Sequence, residues 1–248
     1  NKEYVAVMLL GKVTDTQDTT GTVLEEHPVE VTEEQVKEAV LSFTGEYMQV
    51  PPMYSALKVN GKKLCDLARA GVTVERQARP VQLYSIEIIK MELPRVCMRV
   101  RCSKGTYIRT LCQDIGEKLS CGACMESLLR TKVSEFCVQD ALRLSEIEER
   151  VQKAAGQTPS EQWNAEMFDF IYAVDSVFLQ YKKAVICKEW NKLLYNGNRM
   201  KKDMFVSYQK DWEQQKVRIY DEEGRFIGIY EYSEIHGDYK PVKLFMEA

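Results

Sequence analysis

Alternating apolar and polar residues predict strands in both halves of the chain. Residues 3–11 alternate roughly and end at Gly11, and residues 80–90 and 95–103 form two further strand patterns. After Val174 short strand-like runs predominate. They lie at 183–187, 203–208, 216–220, 225–231 and 241–246. We therefore expect residues 174–248 to form a small β module, with turns at 196–198 and 221–224.

Apolar residues at helical spacing predict four helices between these strands. The sequence 32–35 (TEEQ) is a capping box, and it opens a helix that should end at Gly45. The apolar face of this helix comprises Val36, Ala39, Val40 and Phe43. A short helix is expected at about 63–70, stopping at Gly71. The third begins after 104–106 and turns one apolar face inward, and charged residues 142–170 form the fourth. Whether 125–129 is a short helix or a strand stays open.

The apolar residues of segment 51–63 follow neither the alternation of a strand nor the spacing of a helix. Pro51-Pro52 imposes an extended entry, and Asn60-Gly61 is a strong signal for a hairpin turn.

Composition changes this picture only slightly. Lys and Arg number 34 against 37 Asp and Glu, a formal balance of −3, with 45% hydrophobic and 29% charged residues. These values are ordinary for a folded globular protein. No apolar run approaches the roughly 20 residues of a membrane helix, and the start lacks the form of a signal peptide. We therefore expect a cytoplasmic protein that does not enter a membrane. The start without Met leads us to expect further residues upstream.

The distribution of charge is more informative than its sum. Residues 52–80 contain six basic and two acidic side chains, and residues 95–109 contain five basic and no acidic ones. These stretches carry +4 and +5, so the remainder carries −12. A basic face of this kind is typical of a surface that binds a polyanion, although a charge run can also be only a solvated face. Tyr54, Asn60 and Gly61 lie among the basic residues, and this favours RNA.

Two basic residues lie where helix electrostatics disfavour them. Lys104 and Arg109 flank the start of the third predicted helix, whose N-terminus carries partial positive charge. Basic side chains together with free N–H groups there favour binding of a phosphate or carboxylate. This arrangement costs local stability, so it indicates a functional role.

Eight cysteines occur, and without an export signal they are expected to be free thiols. Cys121 and Cys124 alone have the spacing of a redox or zinc motif. A zinc site needs four ligands, but His27 and His236 are remote in sequence and no second C-x-x-C is present. We expect core or loop cysteines and no metal.

Several motifs, in this order along the chain, resemble those of the bacterial TruB family, the tRNA pseudouridine synthases that modify a uridine of the TΨC loop (position 55). They are 2–4 with 11–21 (KEY and GKVTDTQDTTG), 51–62 with 68–71 (PPMYSALKVNGK and ARAG), 104–110 with 114–116 (KGTYIRT and DIG), 121–123 (CGA) and 128–130 (LLR). The likeness covers residues 1–140 and continues more weakly through 174–248.

The resemblance implies an α/β (α+β type) pseudouridine synthase fold with a mixed, mainly antiparallel sheet and flanking helices. Residues 1–173 would form an N-terminally incomplete catalytic domain, with an RNA-clamp insertion at 50–80. Residues 174–248 would form a PUA-like RNA-binding module. The implied partner is the TΨC stem-loop of tRNA, the implied form is a monomer, and no cofactor is implied.

The resemblance also implies roles for individual residues. Arg109 would pair with the catalytic carboxylate and keep it ionised. Tyr4 would stack on the flipped uracil, Tyr107 would contact the substrate nucleotide, and Leu128 would form a wall of the base pocket. On pattern alone, Tyr4 and Leu128 are ordinary core residues. The implied RNA contacts are Lys58, Lys62, Lys63, Arg69, Lys104 and Arg130.

One family motif has no counterpart in the sequence. The nucleophilic Asp of the family lies in a G-x-L-D-P-x-A-x-G motif upstream of the first strand, and these 248 residues contain no such motif. Asp15 and Asp18 belong to the turn after Tyr4 and are not expected to replace it. The 248-residue chain alone is therefore expected to be inactive.

Two other hypotheses remain. The chain could be a non-catalytic RNA-binding or RNA-folding protein with the same scaffold, which the residue at the upstream Asp position would decide. It could instead be a thiol or zinc protein centred on Cys121 and Cys124, which metal analysis and thiol titration would decide.

Overall fold

The computed structural model describes residues 1–155 and 168–245. Its internal contacts divide the chain into unit 1, Asn1–Ala141, and unit 2, Leu142–Ala248. The predicted boundary at 173/174 lies further along the chain. That prediction followed the change to strand-like sequence at Val174, whereas the chain leaves the first sheet soon after Cys137.

Unit 1 contains ten strands and three α-helices. The strands are β1 (Lys2–Leu10), β2 (Lys12–Thr14), β3 (Val23–Glu26), β4 (Gly45–Gln49), β5 (Lys58–Val59), β6 (Lys62–Lys63), β7 (Arg79–Glu92), β8 (Arg95–Cys102), β9 (Ala123–Val133) and β10 (Phe136–Cys137). The helices are α1 (Glu33–Leu41), α2 (Leu64–Arg69) and α3 (Ile108–Lys118). A 3-10 turn, Val138–Asp140, follows β10.

A six-stranded antiparallel sheet forms the frame of unit 1, in the order β10-β9-β1-β8-β7-β4. The three strands predicted from alternation are confirmed as β1, β7 and β8. Ala6 and Met8 lie on the covered face of the central strand β1 and are fully buried. The segment 125–129, left open above, is part of the long strand β9.

The helices cover this face with the residues that the pattern selected. Val36 and Val40 of α1 and Leu111 and Ile115 of α3 are fully buried in the core of unit 1. Gly116 is required where α3 meets β9, because a Cβ there would lie 2.2 Å from the backbone nitrogen of Ala123. This close approach fixes α3 against the central strands.

The first helix is shorter than predicted. Its capping box is present, with Thr32 and Gln35 bonding each other's backbone N–H groups. It ends at Leu41 rather than near Gly45, which has a φ of +116° and begins β4. The Ser42 hydroxyl donates to the Ala39 carbonyl and so terminates the last turn. Phe43 still packs on the core from outside the helix.

The insertion at 50–80 has little regular structure apart from one hairpin and one short helix. Strands β5 and β6 pair across the predicted Asn60-Gly61 turn, where φ is +50° and +80°. Helix α2 follows and ends before Gly71, as predicted. Arg76 anchors the return of the chain through a 3.0 Å hydrogen bond to the Pro51 carbonyl.

Unit 2 contains a four-stranded sheet in the order β11-β12-β13-β14. Its described elements are α4 (Leu144–Ala155), β11 (Lys182–Val185), α5 (Asn191–Tyr195), β12 (Lys216–Tyr220), β13 (Phe226–Ser233) and β14 (Asp238–Leu244), with short 3-10 turns between them. Strand β11 is parallel to β12, and the other pairs are antiparallel.

Two predictions for unit 2 require correction. Residues 203–208 are not a strand: a 3-10 turn at Lys202–Met204 precedes a single bridge from Phe205 to Ile186. Met204 and Phe205 are adjacent and both buried, whereas a half-buried strand would alternate. The helix predicted over 142–170 is present as α4, residues 168–170 are not helical, and 156–167 lies outside the described residues. Within the described part, no helix is long and apolar enough to cross a membrane.

Candidate active site

The first turn of α3 presents Arg109 from a helix start that lacks the usual acidic residues. The N-cap residue is Tyr107, which makes no side-chain cap bond, and no acidic residue occupies the first turn. Ile108, Leu111 and Cys112 bury the opposite face. Arg109 is thereby held at the rim of the core, with 26% of its side chain exposed.

Three oxygen atoms fix the Arg109 guanidinium. Nη1 donates to Asp18 Oδ2 at 2.9 Å and to the Thr16 carbonyl at 3.3 Å. Nη2 donates to the Tyr54 carbonyl at 3.0 Å. The cation therefore joins helix α3 to the turn after β2 and to the insertion. These bonds use Nη1 and Nη2, and the described residues supply no acceptor for Nε.

Asp18 is the partner of Arg109 that the sequence alone did not indicate. Its Oδ1 accepts from the Thr16 hydroxyl at 2.9 Å, the Thr20 hydroxyl at 2.5 Å and the Thr20 N–H at 3.1 Å. Burial by itself raises the pKa of Asp18, but the hydrogen bonds from Thr20 and Thr16 and the Arg109 charge outweigh it and lower the pKa. A carboxylate engaged on both oxygens holds Arg109 in place and leaves little capacity for attack on a substrate.

Asp15 has a local role in the same turn. Its Oδ1 accepts from the Thr22 N–H at 2.7 Å, which closes the turn. The alternation of Thr and Asp over 14–20 was the signal that could have marked this turn as a binding element, because such side chains order loops through backbone bonds. Nothing in the pattern connected it with Arg109, 91 residues away.

The turn is tied to the core at two further points. The Thr110 hydroxyl donates to Gln17 Oε1 at 2.8 Å, next to the Arg109 contact. Asp18 also forms a parallel bridge with Met125 at the start of β9. The Arg109–Asp18 pair is thus clamped between α3 and β9.

Tyr4, Leu128 and Arg130 lie on the face of the sheet that α3 covers. Tyr4 on β1 is opposite Arg130 on β9, and Ala6 is opposite Leu128. Burial raises the pKa of Tyr4, and the hydrogen bond and charge of Arg130 only partly offset it. Tyr4 packs against the core, as the pattern alone had suggested. Leu128 is 43% exposed, which is more than an ordinary core leucine.

A cleft of about 310 Å³ lies between the insertion and the start of α3. Tyr107, Lys104 and Arg79 line it together with Leu57 and Gln49. The cleft brings two of the predicted site residues together beside an additional cation, Arg79.

The remaining predicted RNA contacts lie on the insertion. Lys58 is directly opposite Lys63 across the β5–β6 hairpin, and Lys62 adjoins them. Like charges in direct cross-strand pairing destabilise a hairpin in the absence of an anion. None of the three lysines forms an ion pair within the described part of the chain. Arg69 on α2 is exposed and pairs loosely with Asp66 at 3.7 Å.

The cysteines are free in the structure, and Cys121 and Cys124 are buried. Burial raises the pKa of both thiols, which is the reverse of what a reactive thiolate requires. Among the described residues, no group of three or more His, Cys, Asp or Glu side chains could hold a metal ion.

Comparison with known proteins assigns the family. Residues 1–108 match the TruB family pseudouridylate synthase N-terminal domain, and residues 109–179 match the tRNA pseudouridylate synthase B C-terminal domain. The tRNA pseudouridine synthase B of Lachnoclostridium phytofermentans is 47% identical over 218 residues, covering 84% of this chain and 67% of that protein. The chain belongs to the TruB family. The resemblance seen in the motifs is thus confirmed.

Other members of the TruB family match nearly the whole chain. The tRNA pseudouridine synthase B of Clostridium kluyveri is 38% identical over 245 residues, covering 99% of this chain and 78% of that protein. The family activity is the isomerisation of uridine to pseudouridine.

Two solved structures share the fold. The crystal structure of a Cbf5-Nop10-Gar1 complex contains a chain with a TM-score of 0.64 and 21% identity, and the structure of an H/ACA RNP bound to a substrate RNA containing 2'-deoxyuridine contains one with a TM-score of 0.64 and 18% identity. The chain covers 65% and 66% of those chains, and they cover 100% and 99% of it. The predicted pseudouridine synthase fold of mixed α/β class is confirmed.

Proposed function

We propose that this chain carries the RNA-binding face and the Arg109 centre of a tRNA pseudouridine synthase acting on the uridine of the TΨC loop. The observation that carries the proposal is the Arg109 cation, held by three oxygen atoms at the start of α3 within a TruB-family fold. The reaction breaks the N-glycosidic bond, turns the base and joins it again through carbon. It needs one carboxylate and no metal or redox cofactor.

Arg109 supplies the electrostatic part of this reaction. A carboxylate beside a fixed guanidinium stays ionised at neutral pH because the neighbouring cation favours its charged form. Since Asp18 and the Tyr54 carbonyl bind Nη1 and Nη2, we assign the contact with a second carboxylate to the Nε side of the guanidinium. The orientation of Arg109 is set before the substrate arrives, so no reorganisation is required during the reaction.

Tyr4 and Leu128 form the apolar receptor for the base. The target uridine must leave its stack, which costs a few kcal/mol that stacking and phosphate contacts offset. Tyr4 offers an aromatic ring and a phenolic hydroxyl, and the exposed Leu128 offers an apolar wall. Arg130, opposite Tyr4, is placed to contact a phosphate at the edge of this receptor.

The insertion provides the contacts with the RNA backbone. Lys58, Lys62 and Lys63 lie close together on one hairpin without ion-pair partners among the described residues, and phosphates would relieve their mutual repulsion. Lys104 and Tyr107 continue this surface through the cleft beside α3, and Arg69 extends it on α2. The proposed partner is the TΨC stem-loop of tRNA, bound by a cytoplasmic monomer.

The nucleophile is not proposed among the described carboxylates. Asp18 is engaged by Arg109 and two threonines, and Asp15 closes its own turn. The 248-residue chain alone is accordingly expected to bind tRNA but not to modify it. Adding the segment with the G-x-L-D-P motif would restore turnover.

The test uses a tRNA transcript labelled with tritium at C5 of uridine, because joining C5 to the sugar releases that tritium. The protein expressed from its whole coding sequence should release one equivalent per tRNA. The 248-residue chain should bind the same tRNA without release. Tight binding without release by both proteins would instead support the non-catalytic RNA-binding hypothesis.

A further inference from the structure

Gln49 is the most completely buried polar side chain near the candidate site. It is the last residue of β4, the edge strand of the large sheet, and only 2% of it is exposed. The chain turns into the insertion at Pro51 directly afterwards. A buried carboxamide is retained where its hydrogen bonds are satisfied, so its partners identify its role.

The carboxamide of Gln49 bonds both backbone groups of a single residue. The Tyr107 N–H donates to Gln49 Oε1 at 2.8 Å, and Gln49 Nε2 donates to the Tyr107 carbonyl at 3.0 Å. This two-point contact reproduces the pairing between neighbouring strands, although 58 residues separate the partners. It therefore fixes the orientation of the Tyr107 peptide as well as its position.

Tyr107 is the residue from which α3 starts. Its carbonyl also accepts from the Leu111 N–H at 3.1 Å, which closes the first turn that carries Arg109. Because α3 has no side-chain cap of its own, Gln49 is the external group that orients this turn. Arg109 in turn reaches the Tyr54 carbonyl on the insertion that begins after Gln49.

We propose that Gln49 is a positioning residue that sets the first turn of α3, and hence the Arg109 guanidinium, relative to the base of the insertion. This proposal deepens the proposed function and rests on it for its effect on turnover. Gln49 borders the cleft of Lys104 and Tyr107 but is only 2% exposed, and its bonds to Tyr107 go to the backbone and not to the ring. Among the described residues it makes no hydrogen bond to Arg109 or to the hairpin lysines. Its loss should therefore reduce catalysis more than binding.

The Gln49 carboxamide is also linked to a second pair of side chains, Tyr47 and Asp114. Gln49 Nε2 also donates to the Tyr47 hydroxyl, which is hydrogen-bonded to the Asp114 carboxylate on α3. Burial raises the pKa of Asp114 to about 6, with the nearby Glu117 charge adding to the effect and the Tyr47 bond opposing it. Tyr47→Phe removes this support but leaves both bonds to Tyr107, so it separates the two interactions of Gln49.

The experiment compares Gln49→Leu with Gln113→Leu, both in the protein expressed from its whole coding sequence, because the 248-residue chain alone is expected to be inactive. Gln113 lies on α3 and loses a 2.7 Å side-chain bond to Glu117 that has no connection with Tyr107. We expect Gln49→Leu to lower kcat by about ten- to a hundredfold, since a misplacement of about 1 Å can have that effect. The dissociation constant for tRNA should stay within about threefold of the parent value. Gln113→Leu and Tyr47→Phe should keep kcat within about threefold.

A second readout does not depend on turnover. Hydrogen exchange of the Tyr107 amide should accelerate at least tenfold in Gln49→Leu and stay unchanged in Gln113→Leu. If Gln49→Leu fails to fold, Gln49→Glu keeps the volume and the acceptor but loses the donor when ionised, and the same comparison applies to it. The proposal would be overturned if the Tyr107 amide of Gln49→Leu exchanged at the parent rate. It would also be overturned if Gln49→Leu kept the parent kcat and normal tRNA binding.

The two proposals fail in different ways. If the parent protein binds tRNA but releases no tritium, the proposed function is wrong, while the exchange of Tyr107 still decides whether Gln49 orients the turn. If the parent is active and Gln49→Leu loses kcat and tRNA affinity in equal proportion, the positioning role is wrong and the proposed function stands.

Discussion

Replacing Asp18 by Asn isolates the charge that holds Arg109. The substitution keeps the side-chain shape, and the amide oxygen can still accept from the Thr20 N–H and the Thr16 hydroxyl. It removes the negative charge that faces Arg109 Nη1 at 2.9 Å. Any change in stability or activity therefore measures the loss of the ion pair, because the turn itself should keep its structure.

The expected loss of stability is about 2 kcal/mol. Hydrogen bonds to charged groups contribute about 1.5–3 kcal/mol net, and this pair lies toward the middle of that range because it is only partly screened. The Arg109 and Asp18 side chains are 26% and 15% exposed. A loss of about 2 kcal/mol lowers the melting temperature of a protein of this size by about 4–8 °C.

The effect of Asp18 should depend on pH in a defined direction. Its pKa lies below the usual value in the folded state. The ionised Asp18 carboxylate therefore stabilises the fold fully at pH values above the ordinary Asp pKa of about 3.9. This stabilisation is lost as the pH falls through the folded-state pKa. The difference in melting temperature between the parent and Asp18→Asn should be constant from about pH 5 to 8 and shrink below about pH 4.

Thermal unfolding followed by circular dichroism between pH 3 and 8 measures this difference. Asp15→Asn is the matched control, because Asp15 lies in the same turn and its carboxylate bonds the Thr22 N–H, whereas that of Asp18 bonds Arg109. In the protein expressed from its whole coding sequence, pseudouridine formation should fall about tenfold or more in Asp18→Asn and remain near normal in Asp15→Asn. If both variants melt within about 1 °C of the parent and turn over equally, Asp18 does not hold Arg109 in solution.

Three further variants test other parts of the account. Arg109→Ala in the protein expressed from its whole coding sequence should abolish pseudouridine formation while tRNA binding in a filter assay stays largely intact; turnover equal to the parent would remove Arg109 from the mechanism. Changing Lys58, Lys62 and Lys63 to Ala should weaken tRNA binding and reduce the slope of log K against log salt by about 2, from about 0.7 per contact with unpaired strands. An unchanged slope would show that the hairpin does not contact the backbone. The pKa of Asp114 is raised to about 6, so its contribution to stability is full below about pH 4 and is lost as the pH rises through 6. Asp114→Asn should therefore gain in melting temperature relative to the parent between pH 4 and 7, and a constant difference would contradict the raised pKa.

The parts of the fold that depend on periodicity were predictable. Ala6 and Met8 on β1 and Leu111 and Ile115 on α3 recur at the periods of a strand and a helix, and burial of one face follows directly. The Asn60-Gly61 turn was equally predictable, since positive φ at both positions favours these two residue types.

Boundaries set by local hydrogen bonds were less predictable. The helix after Thr32 stops at Leu41, where the Ser42 hydroxyl bonds back to the last turn, although apolar Phe43 continues the helical spacing. The strand-like texture after Val174 predicts a strand over 203–208, yet Met204 and Phe205 are both buried from a turn. Spacing alone does not reveal these terminations.

The site was predictable only in part. The basic charge of Arg109 at a helix start indicated an anion site from sequence, and the structure places Asp18 on that cation. The partner itself depends on tertiary contact across 91 residues, and the Gln49–Tyr107 contact spans 58. Polar pairs of this kind leave no periodic trace, so only the folded arrangement identifies them.

Mapping the product in tRNA tests the central proposal most directly. The protein expressed from its whole coding sequence is incubated with an unmodified transcript, and pseudouridine is located by chemical modification and reverse transcription. The account predicts one pseudouridine, at the uridine of the TΨC loop, and none when Arg109 is replaced by Ala. Pseudouridine at a different position, or an identical product from Arg109→Ala, would contradict it.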